Sequence, residues 1–147
     1  MPAPATPQEI FEWLIDLISA GKWSELPGLY AEDAQVEIVF SPVPARRFHG
    51  RAALRTHFAA LGAADAIRLR AENIHVHTTG DPEVVIAEFD YAGLYPATGR
   101  TFRSANIQVL RVRDGLIVET RDYHDHLTFA AADGRAHQLL AAMDRQG

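Results

Sequence analysis

Between Ile67 and His126 the chain reads at a period of two, in four segments parted by short turns. Ile67–Thr78 runs into Gly80-Asp81-Pro82, Val84–Tyr95 into the PATG of 96–99, and Arg100–Arg113 into Asp114-Gly115, with Leu116–His126 last. Asp-Gly between alternating segments is a strong hairpin signal, because both central residues of the tight turn need positive φ. Strands joined by such short turns pair as an antiparallel meander, and their alternation buries one face. The apolar parity of Ile67–Thr78 shifts midway, which predicts a bulge or strong twist there.

What precedes the meander is mostly helical. Thr6 reads as an N-cap, Pro7 as the first helical residue and Glu9 as the partner in a capping box. Ile10, Trp13, Leu14, Leu17 and Ile18 follow at helical spacing, and Gly21 ends the helix. A short second helix is expected near 23–31, then a strand through Val36, Ile38 and Phe40 that stops at the Pro42/Pro44 loop. After Gly50, a third helix sets Leu54, Phe58 and Leu61 on one face, and residues near 134–144 form a terminal helix. Residues 1–5 read as a disordered tail, and no repeat or linker divides 1–147, which is one domain. The order implies an α+β fold: a cone-shaped barrel of curved antiparallel sheet wrapped over the N-terminal helices, with a C-terminal helix and a small-molecule pocket inside.

Composition narrows the function classes. Fourteen Lys and Arg against 19 Asp and Glu leave a net charge of −5, which argues against a nucleic-acid partner. Arg46, Arg47, Arg51 and Arg55 read as a solvated helix face rather than a binding patch. There is no cysteine, hence no thiol nucleophile or thiolate metal site. The N-terminus shows no signal-peptide pattern and no apolar run is long enough to span a membrane, so a cytoplasmic location is expected. No phosphate loop or dinucleotide fingerprint is present, so no cofactor is expected.

Strand parity sorts the candidate site. Val118, Thr120, Asp122 and His124 share one face of the last strand; Val84, Ile86, Glu88 and Asp90 share one face of the second; Ser104, Asn106 and Gln108 run in line with Leu110 and Val112 in the third. If all three stripes face one cavity, Glu88, Asp90 and Asp122 cannot all remain ionised, and a carboxyl with a raised pKa is a general acid or base. His57, beside the apolar face of the third helix, could relay a proton or hold a ligand oxygen. Phe89 or Phe102, with Trp13, would line a pocket for a flat ligand. The plainer alternatives are a core His57 with one satisfied hydrogen bond, Glu88 and Asp90 as ion-pair partners of Arg103 or Arg121, and Asn106 and Gln108 facing solvent. The pairs His75/His77 and His124/His126 suit metal ligation by type, but the spacing around them matches no metal motif, and no metal is expected.

The helix-rich N-terminus, the meander, PATGRTFRS, RVRDGLIVETRDY and the terminal helix resemble the SnoaL-like group of the nuclear transport factor 2-like superfamily. The resemblance implies a cone-shaped fold, a pocket inside it, a homodimer through the sheet, and a cofactor-independent cyclase or isomerase acting on a polyketide-like or aromatic molecule. It places the catalytic carboxylate of the polyketide cyclases at Asp122, and the same position is acidic in limonene epoxide hydrolase and the phenazine-pathway proteins. It sets Asp90 where the epoxide hydrolase has its second aspartate, His57 at the pocket histidine of the phenazine proteins, and Gln108 at that of the cyclases. Asn106, Glu88, His124 and Trp13 complete the expected substrate-binding set. The ketosteroid isomerase base and tyrosine fall at Ile38 and Leu14. The arginine, tyrosine and asparagine of the epoxide hydrolase fall at Glu88, Val36 and Ile38, so neither of those mechanisms is implied. The rival class is a non-catalytic binding or dimerisation module of the same fold.

Overall fold

The computed structural model describes residues 3–42 and 46–146. Helix α1, Pro7–Ser19, starts at the expected capping box: Glu9 N–H donates to Thr6 Oγ1 at 3.2 Å and Thr6 N–H to Glu9 Oε1 at 3.1 Å. Its buried stripe is Ile10, Phe11, Leu14, Ile15 and Ile18, while Trp13 stands 48% exposed on the far side. The next element, Trp23–Leu29, is a 3-10 turn containing Pro27, which lacks the N–H an α-helix would use there. Strand β1 is Tyr30–Val39, β2 is Arg46–His49, and α2, Arg51–Gly62, buries Leu54 and Phe58. The meander follows as β3 (Arg68–Thr78), β4 (Val84–Tyr95), β5 (Arg100–Arg113) and β6 (Leu116–Tyr123). Two helices close the chain, α3 (His126–Ala132) and α4 (Ala136–Gln146). Met1, Pro2 and Pro44 of the expected tail and loop lie outside the described residues; Ala5 packs against the core.

The α+β expectation holds, with refinements. One six-stranded sheet runs in the order β2-β1-β6-β5-β4-β3 and curls over the helices. Its pairings are antiparallel except β1 on β6, which is parallel, because the chain crosses over the helices before returning as the meander. The predicted irregularity in β3 is a register shift between Glu72 and His75, with Asn73 at φ 52°. The hairpin at Asp114-Gly115 has both residues at positive φ. Strand β6 ends at Tyr123, not at His126, because Asp125 caps a helix there: it accepts from Thr128 N–H at 3.1 Å and Thr128 Oγ1 at 2.6 Å. Both β2 and α3 were invisible to periodicity, being four and seven residues long.

The core lies between the concave face of the sheet and the helices. Phe11 meets Phe89 of β4 at 5.5 Å between ring centroids, and Phe89 meets Tyr91 edge-on at 5.1 Å. Gly93 sits under the ring of its cross-strand partner Phe102, which stacks on Tyr95 and meets Phe129 at a tilt. A Cβ at residue 93 would lie 2.2 Å from Phe102 Cζ. Gly93→Ala is therefore expected to cost about 1–3 kcal/mol in urea unfolding, since the ring must leave its stack; unchanged stability would contradict this packing. No helix among the described residues is long and apolar enough to cross a membrane.

Candidate active site

Under the curled sheet lies a cavity of about 300 Å³, at the small end of the range for small-molecule sites. Leu14 and Ile18 of α1, Trp23, Leu54 and Phe58 of α2, and Val36, Phe89 and Tyr95 of the sheet supply its apolar wall. Its polar members are few: Tyr30, Ser41, His57, Tyr91, Gln108, Asp122, His124 and His126 within, and Arg46 and Arg135 at the exposed rim.

Asp122 is the only carboxylate in the lining among the described residues. It stands on β6 with Ile38 of β1 on one side and Gln108 of β5 on the other. Gln108 Nε2 donates to Asp122 Oδ1 at 2.9 Å. Burial pushes the Asp122 carboxyl up to about 6, against the opposing pull of the Thr120 hydroxyl and the Gln108 amide. The Thr120 pull is that of a nearby dipole, since Thr120 Oγ1 is buried without a hydrogen bond of ordinary geometry. Among the described residues no ion pair reaches Asp122, whose carboxylate accepts from the Gln108 amide.

Two histidines are kept neutral nearby. His57 on α2 packs its ring 4.4 Å from Phe48, and burial together with the Arg46 charge lowers it to about 4. His124 falls to about 4 through burial, then through its neighbours His126 and His57. Its tautomer follows from its partners. Asn106 Nδ2 donates to the Ser104 carbonyl at 3.1 Å, which leaves Asn106 Oδ1 as an acceptor 3.0 Å from His124 Nδ1. The proton therefore sits on Nδ1, and Nε2 carries the lone pair. His126 Nε2 donates to the Val39 carbonyl at 2.9 Å.

The structure brings together Asp122, His57, Gln108 and His124, and gives Asn106 a supporting place behind His124. It separates three of the expected residues from the cavity. Glu88 and Asp90 face the other side of β4, because Val85, Ala87, Phe89 and Tyr91 are the buried set. There Glu88 pairs with His77 Nε2 at 2.7 Å, while Asp90 accepts from Asn73 Nδ2 at 2.9 Å and lies 3.7 Å from Arg103. Trp13 is the third, on the exposed face of α1; Leu14 takes the lining position instead. Phe89 rather than Phe102 lines the cavity. Among the described residues no group of three or more potential ligands is arranged to hold a metal ion.

Not every polar member of the lining was legible in the sequence. Tyr30 and Tyr91 line the cavity, buried and within the field of Asp122, and both phenols are raised by burial and by that charge. They stay protonated, hence hydrogen-bond donors, at any ordinary pH. The signal for Tyr91 was the uncharged run Val85-Ala87-Phe89-Tyr91-Gly93-Tyr95 on alternate positions of β4. Tyr30 carried none, because it follows a 3-10 turn that had read as helix.

Comparison with known proteins agrees with this architecture. The SnoaL-like domain matches residues 11–120. The chain belongs to the SnoaL-like family. The uncharacterized protein YesE of Bacillus subtilis (strain 168) is 32% identical over 121 residues, 76% of this chain and 74% of its own. A crystal structure named as a "Putative Isomerase" from Bacillus subtilis superposes with a TM-score of 0.79 at 27% identity, covering 88% of this chain and 93% of that one. A "putative polyketide cyclase" of Pseudomonas putida KT2440 has a TM-score of 0.75 at 20% identity over 87% and 98%, a likeness of fold alone. SnoaL-like membership thus fixes the fold, and the chemistry must be argued from the cavity.

Proposed function

We propose that this SnoaL-like protein is a cofactor-independent cyclase or isomerase in which Asp122 moves a proton at carbon. The observation that carries the reading is a lone carboxylate in an apolar cavity, held by Gln108 without a counter-cation. A carboxyl placed at about 6 is ionised near neutrality and still basic enough to take a proton from an acidic C–H. Gln108 is occupied in orienting the base, so the donors for a developing oxyanion are the phenols of Tyr30 and Tyr91, with neutral His57 as a third.

In the cyclase form, Asp122 takes the proton from a carbon beside a carbonyl, and the resulting enolate carbon attacks a second carbonyl of the same molecule. The carbon–carbon bond forms as the carbonyl π pair moves to oxygen, which then receives the proton back from Asp122. In the isomerase form the proton returns to a different carbon. The isomerase name carried by the structural neighbour at 27% identity supports this class of chemistry.

The pH profile tests the role of the base. For a general base at about 6, kcat/KM should rise with pH through one inflection near 6 and then level. His57 and His124, at about 4, add no second limb above pH 5. A profile that falls through this range would contradict a catalytic carboxylate base.

A further inference from the structure

The rim of the cavity differs from everything beneath it. Among the described residues that line it, only Arg46 and Arg135 are exposed, and no exposed carboxylate belongs to the lining, in a chain whose net charge is −5. The two guanidiniums are not equivalent. Arg135 is engaged by Asp133. Arg46 has no ion-pair partner among the described residues, whereas its neighbour Arg47 pairs with Glu37 on the strand beside it.

Strand register fixes where Arg46 stands. Arg46 of β2 is the partner of Ile38 on β1, Ile38 is the partner of Asp122 on β6, and Asp122 is the partner of Gln108 on β5. All four line the cavity, so one row across four adjacent strands carries an exposed cation, an apolar spacer, the base and the amide that orients it. Two strand spacings put the backbones of Arg46 and Asp122 about 10 Å apart. His57 lies close enough to Arg46 for that charge to help lower it, and as a neutral imidazole it can offer one N–H beside the guanidinium.

We propose that the substrate is a carboxylate whose anionic group seats on Arg46, with its apolar body under the sheet and its acidic C–H at Asp122. The inference rests on the reading of Asp122 as the base and adds the class of molecule on which that base acts. A guanidinium offers two parallel N–H groups that match a carboxylate. A dianionic phosphate would call for a second unpaired cation, which Arg135, held by Asp133, does not supply. Anchoring the charge at the rim also keeps it away from the Asp122 carboxylate, so like charges are held about two strands apart.

The test is binding, not turnover. Calorimetric titration with 2-naphthoate and with the neutral isostere 2-naphthamide should show a preference of roughly tenfold for the carboxylate at low ionic strength, the worth of one charge-assisted contact. The preference should shrink in high salt, persist in Arg135→Ala, persist in part in Arg46→Lys, and vanish in Arg46→Ala, a surface change that leaves the core intact. Equal binding of the two probes, no binding of the carboxylate up to its solubility limit, or a preference that survives Arg46→Ala would each overturn the proposal. The same titration of Asp122→Asn separates the two claims. A carboxylate preference retained there, alongside retained turnover, would remove Asp122 as base while leaving Arg46 as anion anchor.

Discussion

Asp122→Asn is expected to lower turnover by about 10²- to 10⁴-fold, the usual worth of a positioned general base, with little change in ligand affinity. The assay is conversion of any enolisable carboxylate found active in a screen of the purified protein. Asparagine keeps the shape and can still accept from Gln108 Nε2 through Oδ1, so loss of activity would report loss of the base and not collapse of the cavity. The same substitution should make the protein more stable at pH 8. The native carboxyl at about 6 lies above its ordinary value of 3.8, so the folded state binds the proton more tightly than the unfolded chain. As pH rises from 3.8 through 6, folding loses stability, and above 6 the full cost of about 3 kcal/mol applies. Asparagine avoids much of that cost, so turnover and stability should move in opposite directions. A variant that retains turnover contradicts the role, and one that is less stable at pH 8 contradicts the burial of the charge.

The largest effect on stability is expected from Phe11→Ala, at about 3–5 kcal/mol in urea or thermal unfolding. Phe11 is fully buried, and its ring is the contact through which α1 braces Phe89. Removing it leaves a void that the sheet cannot close without shifting β4, the strand that also carries Tyr91. Binding should therefore weaken along with stability, unlike the Asp122 substitution, which separates them. A loss below about 1 kcal/mol would mean that the helix and sheet repack freely around the gap.

How far the fold was legible depended on which physical rule governed each segment. The two inner strands of the meander could be read to their ends because turn chemistry and alternation agree there: β4 and β5 run Val84–Tyr95 and Arg100–Arg113, as the turns imply, whereas β6 stops at Tyr123, short of the expected His126. The parallel pairing of β1 with β6 was not readable, since no local residue records which distant strand will be a neighbour. Asp122 was legible because Thr120 and Asp122 alternate with the exposed Glu119 and Arg121 in the second half of its strand, although the first half, with Ile117 buried and Val118 half-buried, does not keep that parity. Glu88 and Asp90 were misplaced because VVIAEFDYAGLY has apolar residues at both parities, and the half-buried Val84 and Ile86 mimic an inward stripe. The decisive difference lies in the outer face of β4, where His77, Asn73 and Arg103 of its two neighbours wait to pair with those carboxylates. Charge satisfaction across strands is a tertiary fact. Arg46 was read as part of a solvated helix face because β2 is too short to show a period, and only its register to Ile38 brings it to the cavity.

The account stands on a half-buried carboxyl that is poised to accept a proton. Carbon-detected NMR titration of the Asp122 side-chain carboxyl measures this directly, without a substrate. An inflection near pH 6 is the result expected from its burial beside Gln108. An inflection at or below about 4, the value of a solvated aspartate, would contradict the central claim.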